Sequence, residues 1–187
     1  EFNESIDSYS LPVKVIKNKF LKGFGANHNQ AFQWAKGKFF CVMNPDIRLY
    51  EDPFPALLNG LEGDAVGVIA PIILNDRNLI EDSARLFPSP ISIFFKLVNK
   101  LFNKSVKGAA VVNQSYEWVG GMFMLFNMDT YKLINGFDER YFMYYEDVDI
   151  CARLTNMGKK VVLCQSSSVI HLAQRASHRS MKHLRWH

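Results

Sequence analysis

The run Phe39-Phe40-Cys41-Val42-Met43 constrains this chain more than any other feature, because five successive apolar residues leave no polar face and Asn44-Pro45-Asp46 follows at once. A strand of that kind suits a parallel sheet covered on both faces, and a proline cannot continue its ladder. Upstream, Val13-Lys14-Val15-Ile16 reads as a β-branched strand and Asn18 to Gly25 as a loop. An amphipathic helix is expected from about Asn27 to Lys36, ended by Gly37. Strand, helix, strand predicts a βαβ unit. A helix over about Pro55 to Leu61 and a strand through Val66 to Ala70 continue the alternation, which favours a doubly wound, mostly parallel α/β sheet with helices on both faces. Ligands of such sheets lie beyond the carboxyl ends of the strands, a rule that points at Asn44 to Asp46.

Further along, Pro88 and Pro90 interrupt the chain before Ile91, Phe94, Phe95, Val98, Leu101 and Phe102, positions that trace one helical face. Lys96, Lys100, Lys104 and Lys107 decorate the remainder, so this helix either faces the core or dips into an anionic membrane. Gly120-Gly121 precedes an apolar strand from Met122 to Phe126, then a short helix from about Asp129 to Ile134 ends near Gly136. An aromatic loop, Phe137 to Tyr145, leads into a helix from about Glu146 to Met157, with Gly158 as its stop, and Val161 to Leu163 forms a last strand.

At 187 residues the chain is sized for one domain with a real core. The 22 basic residues exceed the 18 acidic ones by four, which indicates no global field for nucleic acid. Cys41, Cys151 and Cys164 are odd in number and lack C-x-x-C spacing, so they read as reduced thiols of a cytoplasmic protein rather than disulfides or a zinc site. No apolar run approaches the roughly 18 residues that span a bilayer. Arg175, Arg179, Lys182 and Arg185 make the last segment, 173–187, a basic helical pattern suited to a solvated face or to an anionic lipid surface. Residues 1–172 form the expected main domain, and both ends of the chain are expected to be truncated.

Several positions could carry chemistry. Asp46 stands just past a buried strand, where a divalent cation could bridge it to phosphate oxygens; N-P-D is also a common turn. Glu146, Asp147 and Asp149 open a helix, where they offset the macrodipole whether or not they act on a substrate. The preceding Tyr141 to Tyr145 could desolvate a carboxylate and wall a sugar site. His171, at a strand end, is either a packed residue or a second metal ligand to join Asp46. Gly23-Phe24-Gly25 offers backbone N–H groups to an anion, and Gly120-Gly121 permits close approach of a ligand or a bulge.

Taken in order, four segments resemble glycosyltransferase family 2, the inverting GT-A enzymes, and especially its rhamnosyltransferase-like bacterial branch. They are Asn18 to Asn29, with G-F-G-A-N-x-N; Asn44 to Asp46; W-V-G-G-M-F-M-L from Trp118; and G-F-D-E-R-Y-F-M-Y-Y-E-D-V-D-I-C-x-R from Gly136 to Arg153. The resemblance implies a Rossmann-like GT-A sheet whose first strand would precede Glu1. It implies that Asp46 takes the metal position of the family's D-x-D motif, with Asn44 in place of the first aspartate, and that His171 joins the metal, Mg²⁺ or Mn²⁺. By the same resemblance Asp147 is the catalytic general base. Asn3, Gly23, Asn27, Asn44, Gly120 and Gly121 would line the donor site, and Trp118, Tyr145 and Glu146 the acceptor site.

The implied reaction transfers a sugar from a nucleotide-diphosphate donor to a hydroxyl of a glycan or lipid-linked acceptor in cell-surface polysaccharide synthesis. Rhamnose is the sugar the resembled branch suggests. Asn3 to Asp7 resembles the family's D-N-x-S-x-D turn, but Phe2 stands where its first aspartate belongs. Two rivals remain, a nucleotidyltransferase on a similar sheet and a non-catalytic nucleotide-sugar-binding module. A cytoplasmic location is expected, peripheral at the inner face of the membrane, with no nucleic-acid partner.

Overall fold

A computed structural model describes residues 12–81, 83–87 and 116–172. The elements, in order, are α1 (Phe24–Phe32), β1 (Phe39–Met43), β2 (Ile47–Arg48), α2 (Phe54–Gly60), β3 (Val66–Leu74) and β4 (Ala84–Arg85). They continue with β5 (Trp118–Val119), β6 (Phe123–Asn127), α3 (Met128–Leu133), α4 (Glu146–Asn156) and β7 (Lys160–His171). Five strands form one sheet in the order β1-β6-β3-β7-β2, and β4 pairs with β5 in a separate ribbon. The expected helix over Ile91 to Phe102, the basic segment 173–187 and Asn3 lie outside the described residues. Among the described residues no helix is long and apolar enough to cross a membrane.

The sheet is mixed rather than mostly parallel. β3 and β7 run parallel, whereas β1–β6, β3–β6 and β2–β7 are antiparallel. The reason is the direction of entry. Asn44 N donates to Met122 O at 2.9 Å, so the chain leaves β1 at the same end where it enters β6. Alternating apolar runs cannot report which end a strand is entered from.

The run 39–43 is a strand with the expected bounds, but among the described residues it is not covered on both faces. β1 has β6 as its one partner among the described strands, and Phe39 and Met43 are exposed. Val13 to Ile16 is β-branched yet pairs with no described residue, and a strand exists only where a neighbour supplies the ladder. β3 continues past the expected Ala70 through Pro71 to Leu74. Its register against β7 shifts between Pro71 and Ile72, opposite Cys164 and Ser168, so the proline sits where the ladder is already broken.

The apolar strands serve two cores at once. Val42, Val68, Ala70, Met124 and Phe126 face one cluster with Tyr131, Ile150 and Leu154, while Ile69, Ile73, Phe123 and Leu125 face a second with Leu57 and Leu61. Successive residues point to opposite faces, so a continuous apolar run is what two covered faces demand. α1, α3 and α4 close the first face and α2 the second. The three cysteines carry free thiols, as expected.

Candidate active site

The pairings gather one end of the sheet. β1 ends there at Met43, β6 begins there at Phe123 opposite it, β3 and β7 end there side by side, and Ile47 of β2 faces His171. The opposite end holds Val66, Lys160 and the bond from Lys160 N to Ala65 O. α4 descends to that opposite end, so its first turn lies at the end shared by Asn44, Asp46 and Gly121.

Asp147 is held by two amides. Its Oδ2 accepts from Gly121 N at 3.0 Å and its Oδ1 from Val148 N at 2.8 Å. Burial pushes its pKa up, and the amide bonds to Gly121 and Val148 oppose that push. A methyl on Gly121 would lie 3.2 Å from the Phe24 ring and 3.6 Å from Asp147 Cβ, so the glycine lets three elements meet. Gly120 is fixed by the bond from its N to Ser83 O, 2.7 Å, on the β4–β5 ribbon.

Glu146 is buried at 6% exposure, and its Oε2 has no hydrogen-bond partner. Desolvation pushes its pKa up to about 7, its own backbone N–H opposes this, and the neighbouring Asp147 charge adds to it. Tyr144 and Tyr145, immediately before α4, both adopt left-handed backbone, with φ of 71° and 67°. Two such non-glycine residues in succession store strain, and they aim the aromatic loop at the head of the helix. Trp118 lies on β5, its Nε1 donating to Leu86 O at 3.3 Å.

The turn after β1 is the second centre. Ile47 N donates to Asn44 O at 3.2 Å and Leu172 N to Asp46 O at 3.0 Å, which locks the turn against the end of β7. His171 Nε2 thereby comes 3.3 Å from Asp46 Oδ1. On the other side of the ring, His171 Nδ1 is 3.2 Å from Glu81 Oε2. Glu81 carried no sequence signal. It arrives through the bond from its N to Ile73 O and the bridge between Leu74 and Ile80, which fold the chain back along β3.

The glycine loop also has a packing role. α1 starts at Phe24 rather than Asn27, because Gly23 is its N-cap and Phe24 N donates to Phe142 O at 2.9 Å. A methyl on Gly23 would meet Phe142 O at 2.3 Å, and one on Gly25 would meet Phe137 Cβ at 2.6 Å. These glycines let α1 pack against the aromatic loop, and the Phe24 amide is committed there rather than to an anion. Asn27 accepts from Asn18 Nδ2 at 2.6 Å and donates to Lys22 O at 3.3 Å, tying the loop to the helix. Asn29 accepts from Tyr131 OH at 2.8 Å and Phe137 N at 3.0 Å, and donates to Phe137 O at 2.9 Å. Arg153 pairs with Asp149 at 2.8 Å, as the i,i+4 spacing predicts, and also donates to Ile134 O and Gly136 O.

The chain is similar to known proteins. Residues 1–129 match the family model described as glycosyl transferase family 2, and residues 102–183 match one described as the N-terminal domain of galactosyltransferase. The rhamnosyltransferase WbbL of Escherichia coli (strain K12) is 31% identical over 88% of this chain, which spans 67% of that relative. An N-acetylglucosaminyl-diphospho-decaprenol L-rhamnosyltransferase of Mycobacterium tuberculosis is 30% identical over 70% of this chain and 45% of its own length. In structure, the crystal structure of GalNAc-T7 with UDP, GalNAc and Mn²⁺ aligns over 91% of this chain and 34% of its own, with a TM-score of 0.66 at 14% identity. That likeness shows a GT-A fold.

Proposed function

This chain belongs to glycosyltransferase family 2, and on that footing we propose that it transfers a sugar, with inversion, from a nucleotide-diphosphate donor to a hydroxyl of a glycan or lipid-linked acceptor. One observation carries the reading: a carboxylate anchored by two amides, that of Asp147, stands at the sheet end that also holds Asp46 and His171. An acceptor hydroxyl is a poor nucleophile until a positioned base takes its proton. Asp147 keeps lone pairs free beside its two amide bonds, and burial raises its basicity above that of an ordinary aspartate. The strained Tyr144-Tyr145 turn and the buried Glu146 would shape the acceptor side, with Trp118 beside them. Gly120, Gly121, Asn44, Asn27, Gly23 and Asn3 are proposed for the donor side.

Asp46 and His171 fit a divalent cation. His171 Nε2 and Asp46 Oδ1 lie 3.3 Å apart, close enough for both to ligate one ion, while Glu81 holds the other side of the ring. Among the described residues no three His, Cys, Asp or Glu side chains form a metal cage. Two protein ligands suffice where substrate phosphates and water complete the shell. Such an ion, Mg²⁺ or Mn²⁺, would offset the charge that develops on the departing nucleotide diphosphate. The relatives' names favour rhamnose as the sugar, and one names a diphospho-decaprenol-linked acceptor, which would bring the protein to a membrane surface; cell-surface polysaccharide synthesis is the setting that the family resemblance implies.

The test is Asp147→Asn. Loss of a general base lowers transfer by roughly 10²- to 10⁴-fold, while donor affinity stays within about twofold. Equal loss of both would move Asp147 to donor binding; full activity would rule Asp147 out as the base, whereas donor binding with no transfer by the wild type would favour the non-catalytic module.

A further inference from the structure

His171 stands between two carboxylates, and in its neutral form, the form that can ligate a metal, it donates a hydrogen to just one of them. Its side chain is 13% exposed, with Nε2 at 3.3 Å from Asp46 Oδ1 and Nδ1 at 3.2 Å from Glu81 Oε2. A neutral ring carries a single N–H, so one acid receives a hydrogen bond and the other faces a lone pair. Which acid receives it decides what the Asp46 side can bind.

The two acids are held differently. Asp46 sits in the turn at the end of β1, its own carbonyl bonded to Leu172 N. Glu81 is pinned behind the ring: its N donates to Ile73 O at 2.8 Å and its O accepts from Ser83 N at 2.9 Å, on the short path from β3 to the ribbon that carries Gly120. Because Glu81 approaches the nitrogen opposite Nε2, it cannot share one ion with Nε2 and Asp46. It backs the ring instead.

We propose that Glu81 is a positioning residue that takes the Nδ1 hydrogen of His171 and so fixes the tautomer whose Nε2 lone pair points at Asp46, readying the pair for a divalent cation. This rests on the metal reading of Asp46 and His171. A carboxylate behind a ligating histidine fixes the ring orientation and raises its basicity, and loss of such a partner weakens metal binding by roughly 10- to 100-fold. With Glu81 removed, the ring is free to donate from Nε2 to Asp46 instead, which closes the site with an internal hydrogen bond.

The experiment uses the full chain with Glu81→Ala, Glu81→Gln and Asp46→Ala. Mn²⁺ affinity is measured by calorimetry, and the tautomer of His171 by ¹⁵N chemical shifts in metal-free protein, read where those shifts themselves show a neutral ring. Wild type should show the Nδ1–H form. Glu81→Ala should shift it toward Nε2–H and weaken Mn²⁺ by roughly 10- to 100-fold. Glu81→Gln, which keeps an acceptor oxygen, should retain the tautomer and most of the affinity. A wild-type Nε2–H form, or a Glu81→Ala chain with unchanged tautomer, overturns the proposal. So does unchanged Mn²⁺ affinity in Glu81→Ala while Asp46→Ala loses it, and that outcome leaves the metal site standing. Unchanged affinity in Asp46→Ala fails the metal reading itself.

Discussion

Adjacent residues of like chemistry acquire different characters at the head of α4. Asp147 is desolvated but bonded to two amides, whereas Glu146 is desolvated with an orphaned oxygen, so the second is held further from its ordinary range. This has a stability consequence with a definite sign. Below about pH 4.5 Glu146 is protonated both folded and unfolded and contributes no difference. As pH rises toward 7 the unfolded chain releases this proton first, so folding weakens; above about 7 the penalty is complete, on the order of 3 kcal/mol. Glu146→Gln should therefore melt close to wild type near pH 4 and well above it near pH 8, roughly, in thermal unfolding. A constant offset between the two curves across that range would show that Glu146 ionises freely in the folded protein. The identity of both acids was legible in E-D-V-D; the difference between them was not, because burial and the Gly121 amide come from elsewhere in the chain.

Elements are joined here by side chains that the motif spelled out without explaining. Asn29 on α1 holds Tyr131 of α3 and both backbone groups of Phe137, and Gly136, at φ 64°, leaves room for it where a methyl would stand 2.3 Å from Asn29 Oδ1. Asn29→Ala should destabilise by about 1–3 kcal/mol, because the buried Tyr131 hydroxyl and the Phe137 amide lose their partner together. Tyr131→Phe, which removes the hydroxyl as well as the bond, should cost less, about 0.5–1.5 kcal/mol in denaturant unfolding. The reverse order would mean that the aromatic loop is anchored through Arg153 rather than Asn29. Helix and strand bodies followed from periodicity, yet boundaries moved where tertiary bonds took over. α1 begins three residues early because Phe142 O receives the Phe24 amide, and it closes with i→i−3 bonds from Trp34 to Ala31 and Ala35 to Phe32 rather than at Gly37.

On the whole molecule, charge is segregated. Residues 8–45 hold six lysines and no acidic residue, and the tip of the loop before α1 presents Phe20 and Leu21 at 83% and 82% exposure between Lys19 and Lys22. If the acceptor is lipid-linked, this face suits an anionic bilayer, with cations meeting headgroups and the apolar tip entering the interface. Lys17→Glu combined with Lys19→Glu should weaken binding to anionic vesicles by roughly tenfold or more at low salt, with little effect on neutral vesicles. Unchanged binding would rule this segment out as a membrane contact. The sequence by itself determined the alternation of strands and helices, the apolar character of β1, β3 and β6, and which acids stand beyond strand ends and at helix starts. Those depend on neighbours within a few residues, where spacing and local polarity act directly. Only the tertiary structure decided that the sheet is mixed, that β1 pairs with β6 alone among the described strands, that Gly23 and Gly25 let α1 pack against the aromatic loop, and that Glu81 stands behind His171. Each of these depends on which end of the sheet a segment is brought to and what it meets there, and contacts between residues about ninety positions apart leave no period to read.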